Sequence, residues 1–333
     1  MVTILGGGNG GIALACYLEE KGINVTVWNR SEERIKKIVE SDNWIKVTDY
    51  EFSTNYAIKI TEVTRDLEKA VKNNRYIFVI TPSYAHEEIA ERLREIGAGG
   101  KVIFLMPGRT LGAKKVWEIM NDDSNEYYEA QTILHTCRMK DNELLQYKKK
   151  KKVYFSSYGK VIRSTIDELV SLIPELDYVD NYYEVTLNNV GAMLHPTPTL
   201  LNIGLVESKK DFYFYKEALS PVIVRYIEKM EKEREAICNA YGAKFLSVYD
   251  WLAIEYNTFG DSLYERLQNN QAYDEIKGPD SIEHRYIHDD VKTGLVPLYY
   301  MAKEKGIEVP YIENIIALAS KLLGIDFLNE GRK

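Results

Sequence analysis

The chain opens on a short apolar run, Val2-Thr3-Ile4-Leu5, which reads as a strand, and passes at once into helical periodicity. Between Gly11 and Lys21, Ile12, Ala15 and Leu18 share one face, as the buried stripe of an amphipathic helix does. A second apolar run, Asn24 to Trp28, follows, and Ser31 stands where a cap would start a helix carrying Arg34, Ile35, Ile38 and Val39. The alternation continues. Ile58 to Ile60 predicts a strand, Asp66 to Lys72 a helix, Tyr76 to Ile80 a strand, Glu87 to Ile96 a helix, and Lys101 to Met106 a strand. Short strands alternating with amphipathic helices predict a doubly wound, mostly parallel sheet covered on both faces.

Near Asp180 the pattern changes. Apolar positions then recur at three and four residues: Val222, Ile223, Tyr226, Ile227, Met230, Ile237 and Cys238 make one series. Ile312, Ile315, Ile316, Ala319, Leu322 and Leu323 make another. The expected organisation is an α/β domain over residues 1–180 and an all-α domain over residues 181–333. The helices Ile223–Cys238 and Ile312–Leu323 suit either an internal core or the face of a homodimer. The lysine run Lys148 to Lys152 lies between two strand-like segments, Ile133–Met139 and Val153–Ser156, and reads as a solvated hairpin turn.

Composition narrows the classes. The 333 residues, 45% apolar and 28% charged, suffice for two packed cores, and a formal net charge of -7 argues against nucleic acid as a partner. The apolar runs are strand-sized, far below the roughly 20 residues of a membrane span. A strand and glycine loop directly after Met1 leave no room for a signal peptide. Cys16, Cys137 and Cys238 are odd in number and in no metal-binding spacing, so no metal and a reduced, cytoplasmic chain are expected.

The segment Gly6-Gly7-Gly8-Asn9-Gly10-Gly11 contains G-x-G-x-x-G, with Gly6, Gly8 and Gly11 in the glycine positions. In that motif the glycines permit a tight strand-to-helix turn, close approach to a pyrophosphate, and close helix packing. Its place between the first strand and the first helix of an alternating pattern predicts a Rossmann domain that binds NAD or NADP. The end of the second strand reads the ribose. An acidic residue there would hold a 2′-hydroxyl, but this chain has Asn29, Arg30 and Ser31, which favour the 2′-phosphate of NADP(H). The alternative is that Arg30 stacks on the adenine of NAD(H). Thr81 and Pro82, and the turn Met106-Pro107-Gly108-Arg109-Thr110, end two further strands on the side where ligands gather.

Hydride transfer to a carbonyl or imine needs a proton donor and a cation for the substrate carboxylate. Of the histidines, His86 and His288 lie among polar residues, His135 reads as a hydrogen-bonded core residue, and His284 adjoins Arg285. His195 differs. It sits in an apolar segment from Asn188 to Thr199 with Pro196 and Pro198 fixing the backbone after it. By composition alone a packed structural histidine is an equal reading. The segment Gly278 to Val291 brings together Arg285, His284, His288, Asp289 and Asp290, and a carboxylate from it would orient His195. The alternative makes Asp289 or Asp290 a helix cap and Arg285 a surface residue.

These residues resemble the octopine/nopaline (opine) dehydrogenase family over nearly the full chain. The resemblance rests on the glycine loop, on Pro107-Gly108-Arg109-Thr110 with Gly112-Ala113, and on Glu129-Ala130-Gln131-Thr132. It rests further on Asn188-Asn189 through His195-Pro196, on Gly278-Pro279 through His284-Arg285-Tyr286 to Asp290-Val291, and on Gly294-Leu295-Val296-Pro297. It implies an NAD(P)H-dependent condensation of a 2-oxo acid such as pyruvate with the amine of an amino acid, followed by imine reduction. By the same resemblance His195 is the acid/base, Asp290 its partner, and Arg285 the holder of a substrate carboxylate. Gly6, Gly8, Asn9, Gly10, Gly11, Asn29, Arg30, Ser31, Thr81 and Pro82 are the expected cofactor contacts. Two rivals share the architecture: a 2-oxo acid reductase that makes a hydroxy acid without an amine, and a nucleotide sensor without turnover.

Overall fold

A computed structural model describes residues 1–333, which part into two compact units between Val185 and Thr186, a few residues beyond the boundary expected from pattern. The first unit is built on an eight-stranded sheet in the order β12-β11-β8-β7-β6-β1-β2-β5. Its strands are β1 (Val2–Leu5), β2 (Val25–Trp28), β5 (Glu62–Thr64), β6 (Tyr76–Val79), β7 (Val102–Leu105), β8 (Glu126–Ala130), β11 (Val153–Tyr158) and β12 (Leu176–Tyr178). From β5 to β8 all pairings are parallel, and only β8 with β11 is antiparallel. Helices α1 (Asn9–Glu20), α2 (Glu32–Glu40), α3 (Leu67–Lys72), α4 (His86–Glu95), α5 (Gly112–Met120) and α6 (Arg163–Leu172) connect them. Central strands bury both faces, which is why they read as continuous apolar runs.

A second sheet was not foreseen as such. β4 (Thr54–Lys59), β3 (Trp44–Asp49), β10 (Glu143–Lys149) and β9 (His135–Lys140) form it in that order. The expected strand at Ile58–Ile60 is the end of β4, hydrogen-bonded antiparallel to β3. Ile45, Val47 and Leu144 of this sheet join the core cluster of α1. The lysine run is no hairpin turn. It closes β10 and crosses to β11 in the other sheet, while the β9–β10 turn lies at residues 141–142. The lysines are held on that path: Lys149 pairs with Glu175 at 2.6 Å and Lys152 with Asp177 at 2.7 Å.

The second unit is helical. Its longest helix, Pro221–Ala240, starts at Ser220, whose side chain caps the Ile223 amide, with Pro221 in the first turn. It packs against the helix Pro310–Leu323. Ile223, Ile227, Met230 and Ile237 from one, and Ile312, Ile315, Ile316 and Ala319 from the other, are buried inside this unit. These positions of the two apolar series are internal core, whereas Val222 and Leu322 of the same series are exposed. Arg234 on the first helix is fully buried. Its guanidinium donates to Glu231, Leu187, Asn188 and Leu246 at 2.7–3.0 Å, which ties the segment before His195 to this helix. No helix of the chain is long and apolar enough to cross a membrane.

Candidate functional site

The glycine loop joins β1 to α1 as the motif demands. A Cβ on Gly11 would lie 1.8 Å from the Gly6 carbonyl oxygen, so only glycine lets α1 start so close to β1. Gly6, at φ +129°, is in a region that glycine alone adopts readily, and a Cβ there would strike the Ile80 carbonyl at 2.2 Å. Gly8 is the opposite case: a Cβ would meet nothing within 4 Å. The backbone at the mouth of α1 thus faces open space, with no side chain capping the free amides. That is the cradle a pyrophosphate requires, and these residues fit a dinucleotide.

Around this cradle the expected contacts divide into structural and available groups. Asn29 is structural: its Oδ1 accepts from the Gly7 amide at 3.0 Å and its Nδ2 donates to the Ser31 carbonyl at 2.9 Å. The Asn9 side chain is likewise engaged, accepting from the Met139 amide of β9 at 3.0 Å. Ser31 stands at the cap position of α2, but its hydroxyl makes no capping bond and is exposed. Thr81 Oγ1, just beyond β6, is buried with no hydrogen-bond partner, the kind of orphan a bound ligand satisfies. Pro82 beside it is exposed and leads into a short 3₁₀ turn at Ser83–Ala85. Gly10 packs toward Ile80 and Ile133, where an added Cβ would find Ile80 Cγ2 at 3.2 Å. Arg30 is exposed and paired with Glu88 of α4, whose carboxyl it holds below the usual carboxylate range. Arg109 and Leu111, after β7, adopt left-handed backbone conformations, a strain that marks the second turn expected at the strand ends.

The second constellation lies wholly in the helical unit. His195 occupies the junction of two short helices, Gly191–Leu194 and Pro196–Leu201. Pro196 sets the start of the second, and the His195 carbonyl accepts from Thr199 Oγ1 at 2.7 Å, so the backbone mount is fixed. The ring Nδ1 lies 2.9 Å from Asp290 Oδ2, and the Nε2 lies 3.0 Å from the Tyr215 hydroxyl. An ionised carboxylate only accepts, so the Asp290 bond puts the proton on Nδ1 and leaves Nε2 to exchange protons. Tyr286 stacks on the imidazole, 4.1 Å between centroids, and Tyr273 stacks on Tyr215 at 3.8 Å. Burial raises the Tyr215 phenol well above its ordinary value, so the hydroxyl stays protonated.

Asp290 and Arg285 share one short helix, Arg285–Asp290. Its cap is His284, whose Nδ1 accepts from the Tyr286 amide at 3.3 Å, so neither Asp289 nor Asp290 caps it. Both aspartates are buried, while Arg285 is exposed and forms no ion pair, its guanidinium lying over the Tyr286 ring 5.8 Å from the centroid. Burial, then the neighbouring Arg285 charge, holds His284 below its ordinary value. Directly after Asp290 the chain makes a π-helical turn over Val291–Leu295. Such turns are enriched at functional sites because they reorient a side chain by an inserted residue. Gly294 within it is pressed against Ala192, where a Cβ would come 2.6 Å from the alanine Cβ. Close approach at this point carries the helix before His195 to within bonding reach of Asp290.

Tyr215 and Gly294's packing role were not expected from the sequence. Apart from His284, which caps the helix and packs edge-on against Tyr286, the other histidines take no part in the cluster. His86 is fully buried rather than in polar surroundings, His288 pairs with Glu283, and His135 is a core residue with neither ring nitrogen hydrogen-bonded.

Against known proteins, the family described as NAD/NADP octopine/nopaline dehydrogenase, alpha-helical domain, matches residues 178–323. The N-terminus of NAD-dependent glycerol-3-phosphate dehydrogenase matches residues 1–134. An opine dehydrogenase of Arthrobacter sp. (strain 1C) is 32% identical over 99% of this chain and 92% of its own length. An octopine dehydrogenase structure with NADH and L-arginine superposes with a TM-score of 0.82 at 19% identity, covering 99% of this chain and 92% of that one. Yersinopine dehydrogenase bound to NADP+ superposes at 0.80 and 14% identity, covering 98% and 91%.

Proposed function

The chain belongs to the opine dehydrogenase family, and from that premise we propose how its own residues divide the work of the reaction. It is an NAD(P)-dependent oxidoreductase acting on CH–NH donors. The amine of an amino acid adds to a 2-oxo acid, water leaves, and the imine is reduced to a secondary amine dicarboxylate; the reverse is oxidation. Bound NAD(P)H supplies the hydride.

His195 removes the proton that an incoming ammonium must lose and returns one to the hydroxyl that departs as water. Asp290 fixes the tautomer in which Nε2 is the exchanging atom and balances the imidazolium that forms in turn. Tyr215 occupies Nε2 in the free protein. As a hydroxyl it donates to a neutral ring and accepts from a charged one, so it suits both protonation states. Arg285, a cation with no carboxylate of its own, receives a substrate carboxylate, pyruvate's or the amino acid's. Gly6, Gly8, Gly10 and Gly11 seat the dinucleotide, Thr81 supplies a hydroxyl to it, and Arg30 with Ser31 favours the 2′-phosphate of NADP(H). The reaction belongs in the cytoplasm, where the free thiols Cys16, Cys137 and Cys238 stay reduced.

The observation that carries this reading is the His195–Asp290 pair at 2.9 Å in a buried aromatic setting. The test is oxidation of NADPH and of NADH with pyruvate, with and without a panel of amino acids. Turnover that requires the amino acid is the expected outcome. Turnover with pyruvate alone would mean a hydroxy-acid reductase instead.

A further inference from the structure

The residue that reads the ribose is usually sought at the end of β2, and no carboxylate stands there. The structure supplies one from elsewhere. Glu88, in the first turn of α4, bonds Arg30 directly. α4 follows β6, Arg30 follows β2, and β1 with its glycine loop lies between those two strands in the sheet. The Arg30–Glu88 bond therefore spans the strand whose end cradles the dinucleotide.

Glu88 is also gripped from the other side, by Arg92 Nη2 at 2.9 Å and Nε at 3.1 Å. One carboxylate between two guanidiniums leaves a surplus positive charge, enough to attract a phosphate but less than Arg30 would offer free. The pair is shallow, with side chains 63% and 39% exposed, so solvent screens it and Arg30 can leave it.

We propose that Glu88 sets the cofactor preference of this enzyme by competing with the 2′-phosphate of NADP(H) for Arg30. With NADPH, Arg30 must give up Glu88 to meet the phosphate, and the freed carboxylate repels the new anion. With NADH nothing has to be released, and the ion pair persists beside a neutral 2′-hydroxyl. Glu88 thus penalises one cofactor and spares the other, drawing the two affinities together. On this reading the lean toward NADP(H) given by Arg30 and Ser31 is damped from α4.

This inference rests on the reading of Arg30 as the 2′-phosphate ligand, and the experiment separates the two. Calorimetric titration of the protein with adenosine 2′,5′-bisphosphate and with 5′-AMP reads the 2′-phosphate without any turnover. In Glu88→Gln the bisphosphate is expected to bind about fivefold more tightly, with 5′-AMP unchanged. In Arg30→Ala it is expected to bind about tenfold more weakly, and adding Glu88→Gln to that background should recover little. If Arg30→Ala leaves the ratio of the two affinities untouched, the parent reading fails. If Arg30→Ala weakens the bisphosphate but Glu88→Gln alters nothing, the competition is overturned while the parent reading stands. 5′-AMP binding reports folding in every variant, and Glu88→Ala repeats the test should glutamine disturb α4.

Discussion

At the scale of the residue, His195 is defined by what each ring nitrogen touches. Nδ1 meets the Asp290 carboxylate and Nε2 the Tyr215 hydroxyl. His195→Ala is expected to lower kcat/KM by roughly two to four orders of magnitude, with NAD(P)H affinity unchanged in a fluorescence titration. A near-normal rate would remove the residue from the mechanism. Tyr215→Phe keeps the ring stacked on Tyr273 and deletes one oxygen. Expected are an intact fold, unchanged cofactor affinity, and a fall of about tenfold in kcat with an altered pH–rate profile, since Nε2 loses its partner. An unchanged profile would make Tyr215 mere packing. Arg285→Ala should raise the KM of at least one carboxylate substrate by about one to two orders of magnitude, against a smaller change in kcat. The sequence offered His195 and Asp290 through their unusual company, histidine before proline and aspartate in a charged segment, and the structure brings these two side chains together. Tyr215 had no such mark. It is one of 25 tyrosines, on a four-residue helix whose meeting with His195 depends on tertiary packing.

At the scale of the element, the distance from His195 to Asp290 is set by backbone, not by the two side chains. The helix Gly191–Leu194 and the π turn Val291–Leu295 touch where Gly294 meets Ala192, and no larger residue fits there. Gly294→Ala must push the two segments apart or bend them. Overpacking of this kind costs about 1–3 kcal/mol. The expected outcome is a lowered melting temperature and reduced kcat, with the affinity for dinucleotide retained, because the glycine loop lies in the other unit. A variant with wild-type turnover would show that the contact positions nothing. Elements were legible where one periodicity held: the strands β1, β2, β6 and β7 and helices α3 and α4 fall within a residue or two of expectation. The small sheet was harder to read. β3 alternates buried and exposed residues, with Trp44, Lys46 and Thr48 facing out, and its parallel partner β10 comes from far along the chain. The lysine run misled for a related reason: a run of charge reads as a turn, but each neighbouring acidic partner lies on β12 or just before it.

At the scale of the whole first unit, the small sheet meets the helix that follows the glycine loop through a buried histidine. His135 begins β9, is 2% exposed, and presents its ring edge-on to Tyr17 of α1 with both nitrogens unpartnered. Burial pushes its pKa down to about 4. The folded protein therefore keeps it neutral, while the unfolded chain takes up a proton near pH 6.5. Because the folded value is depressed, the stability this neutral ring confers is whole above about pH 6.5 and is lost as pH falls toward 4, where the loss levels off. The loss is about 3 kcal/mol over that window. The same strand carries Met139, whose amide holds the Asn9 side chain at the start of α1, so loosening β9 should also loosen the pyrophosphate cradle. Urea unfolding and NADPH titration from pH 7 to pH 4 test both consequences against His135→Phe, which preserves the edge-to-ring contact and cannot titrate. Surface carboxylates act equally on both proteins and cancel in the difference. The wild type is expected to lose about 3 kcal/mol more than the variant between pH 6.5 and 4, and to lose NADPH affinity in the same window. Parallel curves would mean that the ring finds a proton acceptor in the folded state and that the acid sensitivity of this unit arises elsewhere.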